Sequence, residues 1–407
     1  MIDQSADAIS IDTNRRLLNR YRYIEQEGLR VMAGWLPKTA LFELKCELGR
    51  AIWEDAQHVN ALYLRLREIQ SPAFQKPADK ALIRLMEEML AAPSEWALAA
   101  AFWRVLKPAL RATLLAHESA TFPTSDFPSV YAIEHINLDE GKQVARVGKL
   151  LEQVDRNGQL GNEVQTWEGH IAALLKDAGG ITGDEPRPAT PAAPSPLRKA
   201  FSPPLEVARD ARFTNLGSVA ETRTVPGEDK YDEHTTFEFS SYSTEMLAAE
   251  TVALVMFQMP SMPWDFVYDA ARHLYDEVRH CLMGYEWMRL HGEDPFLAPQ
   301  NVKIFKWRSK FRPVEQYCLL TMGNEVNAFP YRHRRVEEHK QRGNHLSEQF
   351  VRYDIADETQ HVRFGNRWLP ELVKASGEKR TVEKFTADMM EIWTNEYRSG
   401  RLPINVE

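Results

Sequence analysis

The stretch DIADETQHVRFGNRWL, residues 354–369, sets Glu358 and His361 three positions apart inside a run with helical spacing of its apolar residues. Val351, Asp354, Glu358, His361, Gly365 and Trp368 fall at intervals of three and four, the stripe that an amphipathic helix buries. A carboxylate and an imidazole on a buried face need a partner, since an unpaired buried charge is costly. A second such pair, Glu277 and His280, lies in YDEVRHCLMGYEW, residues 275–287, on the stripe Leu274, Glu277, Cys281, Gly284 and Met288. With 12 His in 407 residues, about one Glu-x-x-His arises by chance. Two pairs alone therefore decide nothing, and the neighbouring helices must supply the rest.

They do so with one carboxylate each. Glu250 stands between Leu247 and Leu254, and Glu325 between Met322 and Phe329, again at helical spacing. Glu325 and Glu358 are level if the turn between their helices falls near Arg342-Gly343, each about 22 Å from it at 1.5 Å per residue. Glu250 and Glu277, across Pro260–Pro263, are a less even match. Four carboxylates and two neutral imidazoles carry the charge that two divalent cations neutralise, and no Lys or Arg stands on these stripes to do so instead. Mixed oxygen and nitrogen donors suit iron or manganese, and the lack of thiolate donors argues against structural zinc.

One Glu from each of two helices and a Glu-x-x-His from each of two others resembles the ferritin-like di-iron carboxylate superfamily. The resemblance covers residues 240–375. The string DETQHVRFGNRW is also similar to an uncharacterised bacterial ferritin-like family carrying HVxxGNRW. It implies a metal site of Glu250, Glu277, His280, Glu325, Glu358 and His361 holding two Fe ions, with Mn or a mixed Mn/Fe pair as alternatives. Glu277 and Glu358 would bridge. Asp276 and Asp357, each just before a bridging Glu, would hydrogen-bond the ligand histidines. His273 and Asp354, one turn before those glutamates, are candidates to back the ligands or face substrate; ordinary hydrogen-bonded core residues are the plain alternative. The implied activity is a non-haem di-iron oxidase or oxygenase using O2 or peroxide on a small-molecule substrate, with an electron-donor protein and a homodimer as further partners. A non-catalytic iron-binding or storage protein, and a di-manganese catalase- or peroxidase-like enzyme, are the competing readings.

The first half repeats the spacing without the ligands. Glu27 and Glu54 are 27 apart, as are Glu250 and Glu277, and Glu140 follows where Glu358 would be matched. Gln57 and Gln143 take the histidine positions, and Lys107 stands 33 residues before Glu140. This half reads as a degenerate copy in which Lys107 faces Glu27, Glu54 and Glu140; an altered site using His58, His117 or Glu118 competes. Between the halves, residues 186–204 carry seven prolines and read as extended chain, either loose or lying as a strap. The expected fold is all-α: two ferritin-like four-helix bundles in tandem, over 12–178 and 240–400, joined by a Pro-rich linker, 179–239, with an extra C-terminal helix. Pro330, five residues past Glu325, is expected to kink its helix or force a bulge.

Composition bounds the partners. A net charge of −8 and three cysteines without metal spacing argue against nucleic acid, anionic membrane and zinc. No stretch reads as a signal peptide or a membrane span, so a cytoplasmic location is expected.

Overall fold

The computed structural model describes residues 9–71, 79–158, 160–217, 226–227, 230–400 and 402. Among them the regular elements are all helical, as the periodicity requires. The chain divides into two compact units, Met1–Trp35 with Ala51–Ser202, and Leu36–Arg50 with Pro203–Glu407. The boundary differs from the expected one: residues 36–50 belong with the second unit, and the segment read as linker is shared between the two.

In the first unit, α1 (Ile11–Trp35) and α2 (Phe42–Glu68, of which Ala51 onward lies here) are followed by α3 (Lys80–Leu90). Asp79 caps α3 by accepting from the amides of Ala81 and Leu82. Next comes α4 (Glu95–Ala100), which passes through a π-helical turn, Ala101–Leu106, into α5 (Lys107–Ala120). The unit ends with α6 (Pro123–Arg156) and α7 (Asn162–Asp177). Residues 181–202 follow as irregular chain held along this unit. The Arg20 Nε donates to the Ile181 carbonyl at 2.9 Å, Arg84 to Ala192 at 2.7 Å, and the Lys199 amide to Ala91 at 2.9 Å. The proline-rich segment is expected either without order or as an extended strap across both bundles; residues 181–202 lie along this one unit, where polar side chains satisfy a backbone that cannot join a helix.

The second unit contains a helix that sequence reading assigned to the linker, α8 (Tyr231–Tyr242). A single 3-10 turn, Ser243–Glu245, joins it to α9 (Met246–Gln258). Then come α10 (Trp264–Leu290), α11 (Val302–Arg308) and α12 (Pro313–Cys318). A π-helical turn, Leu319–Glu325, carries α12 into α13 (Val326–Gln341), and α14 (His345–Ala375) and α15 (Val382–Ile392) complete the unit. The π turn ends at Glu325, five residues before Pro330, where a kink or bulge is expected, and Pro330 itself stands inside α13. The proline removes the N–H that would bond to the Val326 carbonyl.

The core of this unit joins α8, α10, α13 and α14 through Phe239, Trp287, Val336 and Val351. Two glycines permit the close approaches. A Cβ at Gly284 would stand 2.6 Å from the Phe239 carbonyl oxygen, and one at Gly365 2.7 Å from Thr321 Oγ1. Among the described residues, no helix is long and apolar enough to cross a membrane.

Candidate metal centre

Two helices present the Glu-x-x-His pairs. On α10, Asp276, Glu277 and His280 are all buried, and on α14 so are Asp357, Glu358 and His361. Residues three apart on a helix project together, so each Glu meets its own His: His280 Nδ1 lies 3.6 Å from Glu277 Oε2, and His361 Nδ1 3.5 Å from Glu358 Oε2. Glu277 also reaches the other pair, with Oε1 3.3 Å from His361 Nδ1. The outer nitrogens cross over. His280 Nε2 is 3.3 Å from Asp357 Oδ2, and His361 Nε2 is 3.4 Å from Asp276 Oδ2. Each imidazole is thus aimed by the aspartate of the opposite helix, leaving Nδ1 to face inward.

Glu325, at the end of the π turn, joins the same cluster through His273, whose Nε2 is 2.9 Å from Glu325 Oε1 and 3.3 Å from Glu277 Oε1. Two groups result. One ligand atom each from His273, Glu277, Glu325 and His361 lies within 4.8 Å of the others, and so do atoms of Glu277, His280 and Glu358. Glu277 belongs to both. His273, expected to back the ligands, face substrate or serve as a core residue, lies within the candidate donor group itself. Asp354 presents Oδ1 3.5 Å from His280 Nδ1 while its Oδ2 accepts from Tyr242 Oη at 2.9 Å.

Glu250 is not brought into the cluster. It is fully buried, paired with Lys45 and held in a two-point grip by Arg209, at 2.6 and 2.8 Å. The reason is axial position. Glu277 lies thirteen residues past Trp264, the start of α10; thirteen residues back from Gln258, the end of α9, is Glu245. Glu250 is five residues nearer the turn, about 7.5 Å along the axis. Glu245 occupies the level position, and burial together with Glu277 pushes its carboxyl up to about 8. Level counting from the helix ends would have found it in the sequence.

Nor is the cluster free of cations. Arg332, from α13, pairs with Asp354 and places Nη2 3.0 Å from Glu358 Oε1. Its position, seven residues past Glu325, is two turns along the same face, a signal passed over in reading the stripe as free of basic residues.

The electrostatics are those of a site short of positive charge. Burial opposes the charged form of His280 and His361, yet Asp354, Asp357, Asp276 and Glu277 outweigh it and hold both imidazoles well above the ordinary histidine range. Burial likewise opposes ionisation of Glu277, but the imidazoles of His273, His280 and His361, 3.3–3.6 Å away, hold it well below the carboxylate range. Outside, Arg272 and Arg279 neutralise Asp276 and Asp357, at 2.6–3.1 Å. Both oxygens of Glu277, Oε2 of Glu325 and Glu358, Oδ1 of Asp354, and Nδ1 of His273, His280 and His361 are buried without a hydrogen-bond partner. Buried polar atoms are rarely left so. Apart from His273 Nδ1, whose ring faces the cluster through Nε2, these O and N atoms fit divalent cations of the iron or manganese kind.

In the first unit Lys107 does face three carboxylates, but not the expected three. Its Nζ lies 2.7 Å from Glu25, 2.8 Å from Asp55 and 2.5 Å from Glu140. Glu27 and Glu54 pair instead with Arg30 and Arg146, because a helix position turns by about 100° per residue: Asp55 is one residue from Glu54 and Glu25 two from Glu27, and these are the positions that point inward. That register keeps the spacing: Asp55 and His58 stand three apart, and His58 Nδ1 is 3.3 Å from Glu25. Gln143 donates to Asp55 at 2.9 Å. His117, by contrast, contacts Tyr21, and Glu118 accepts from Asn137.

No protein-family model matches the chain, and no curated protein or solved structure matches it.

Proposed function

We propose that the second unit is a ferritin-like four-helix bundle holding two iron ions, and that the protein is a di-iron oxidoreductase acting with O2 or peroxide on a small molecule. The observation that carries this reading is Glu277, shared by two converging donor groups whose histidines are aimed by crossed aspartates. The helix order supports it. Tyr231–Gln258, Trp264–Leu290, Pro313–Gln341 and His345–Ala375 are joined by short, long and short connections, one of the known four-helix arrangements.

When bound, two reduced irons sharing carboxylates supply two electrons to O2 together. The chain's own residues do the rest. Glu277, common to both donor groups, and Glu358, His361, Glu325, His273, His280 and Asp354 around it are the residues that would hold the ions. Asp276 and Asp357 keep a proton on each Nε2, so that Nδ1 offers its lone pair. Arg332 offsets part of the carboxylate charge. A cavity of about 410 Å³ beside Glu277, Glu325 and Glu358 has the size of a small-molecule site, which favours an enzyme over a storage protein.

The first unit reads as the copy without metal. A π turn precedes Lys107, 33 residues before Glu140, and another ends on Glu325, 33 residues before Glu358. The Lys107 ammonium stands where a cation would otherwise meet the three carboxylates. Elemental analysis of purified protein tests both halves of the reading: about two Fe or Mn per chain is expected, and none, or four, would overturn it. Mössbauer and EPR spectra before and after O2 then separate an oxidoreductase from a passive metal binder.

A further inference from the structure

The cavity beside the cluster is entered by a guanidinium that has no counter-ion. Arg308, the last residue of α11, is 3 % exposed and lines the cavity with Glu245, Asn324, Asn327 and Tyr397. Its one hydrogen bond runs from Nη1 to Thr251 Oγ1, at 3.3 Å, and its Nε is buried with no partner. Among the described residues no carboxylate lies within 4.0 Å of it, although Glu325, Glu277 and Glu245 act on it from further away. An arginine cannot shed its proton to escape burial, so the missing partner must be an anion.

Charge counting says which kind. Around the cavity stand five carboxylates, Glu245, Glu277, Glu325, Asp354 and Glu358, and two arginines, Arg308 and Arg332. Asp276 and Asp357 are balanced outside by Arg272 and Arg279. Burial and repulsion from Glu277 raise the Glu245 carboxyl, and bound cations would offset the repulsion. Counted with Glu245 ionised in that state, two divalent cations with five negative and two positive side chains leave one positive charge, and Arg332 is already committed to Asp354 and Glu358. One monoanion restores neutrality. A phosphate dianion would overshoot and face Glu245, whereas the planar fork of Arg308 matches a carboxylate.

We propose that the substrate of this site is a small organic monocarboxylate, its carboxylate anchored by Arg308 and its remainder in the cavity against Glu277, Glu325 and Glu358. The proposal rests on the di-metal reading for its charge balance, but its anchor is a residue outside the donor cluster. Arg308 is therefore a binding residue, placed by the long α10–α12 connection. Exposed Arg398 also lines the cavity and can assist entry of an anion.

The test is calorimetric titration of full-length protein, as purified and after removal of metal by chelator, with hexanoate and benzoate as probes and 1-hexanol and hexylammonium as neutral and cationic controls. Hexanoate or benzoate is expected to bind, with the alcohol and the ammonium ion at least about tenfold weaker. Arg308→Gln should weaken the carboxylate by about ten- to a hundredfold, and Arg308→Lys should recover part of the loss. Carboxylate binding that ignores Arg308→Gln, or no binding of either carboxylate to wild-type protein, overturns the proposal. Metal content of each variant is measured alongside. Two ions with no Arg308-dependent binding sinks the substrate class alone; Arg308-dependent binding in protein that carries no metal as purified sinks the di-metal reading alone.

Discussion

His280 on α10 places Nε2 3.3 Å from Asp357 on α14, a residue 77 positions later in the chain. The contact fixes which nitrogen of the ring faces the cluster, because a proton shared with the carboxylate leaves Nδ1 as the donor atom. His361 and Asp276 repeat it in the opposite direction at 3.4 Å.

Removing that aim should loosen metal without removing a ligand. Asp357→Ala is expected to weaken metal retention about ten- to a hundredfold, measured by competition with a chromophoric chelator. Glu277→Ala, by contrast, should abolish both ions, since both donor groups contain it; retention of one ion would show that Glu277 is not shared.

Glu250 gives the opposite pattern. Replacing it by Gln leaves Lys45 and Arg209 buried without their carboxylate, so the protein should lose on the order of 3–5 kcal/mol of stability. Its metal content should not change. Denaturation and elemental analysis on the same sample separate the two effects, and loss of metal would restore Glu250 to the ligand set.

Lys107→Ala should likewise cost roughly 3–5 kcal/mol by stranding Glu25, Asp55 and Glu140, with no change in metal content. If iron is lost instead, the first unit is not the inert copy.

The same cluster predicts a pH dependence. Burial and Glu25 push the Asp55 carboxyl up to about 6, against the pull of Lys107 and His58. Burial opposes charge on His58, but Glu25, Asp139 and Glu140 outweigh it and raise its pKa well above 6.5. Both folded values are raised, so the folded state binds more protons than the unfolded one and stability falls as pH rises. Asp55 contributes fully below pH 3.8 and loses its contribution through about 6; His58 contributes fully below 6.5 and loses it at higher pH. Denaturant midpoints across this range should decline, and His58→Gln should flatten the part above 6.5. A midpoint that rises over that part in wild type would contradict the assignment.

Close helix approach is tested at two glycines. Gly284→Ala drives a Cβ into the Phe239 carbonyl and should destabilise by about 1–3 kcal/mol. Gly148, inside α6 with nothing within 4 Å of an added Cβ, should gain about 1 kcal/mol on the same change. Thermal unfolding of the two variants gives the sign directly.

The sequence alone determined the helical class, the extents of most long helices and the two carboxylate–histidine pairs, because helical spacing is a local property. Glu277 and His280, or Glu358 and His361, cannot fail to share a face once their helix forms. It also singled out Glu325 on the third helix, and the lysine that stands in the first unit's cluster, but not the π turn, which lies before Pro330. What it did not determine is everything that depends on how one helix sits against another. An error of one residue turns a side chain by about 100°, and five residues shift it by about 7.5 Å. That is why Glu25 and Asp55, not Glu27 and Glu54, meet Lys107, and why Glu245 rather than Glu250 is level with Glu277. Arg209 and Arg308 come to their partner or to the cavity from an irregular segment and a connection, positions with no periodicity to read, whereas Arg332 stands two turns past Glu325 on the same face and was legible. Only tertiary packing decided which charges are met by a side chain and which are left for a bound ion or substrate.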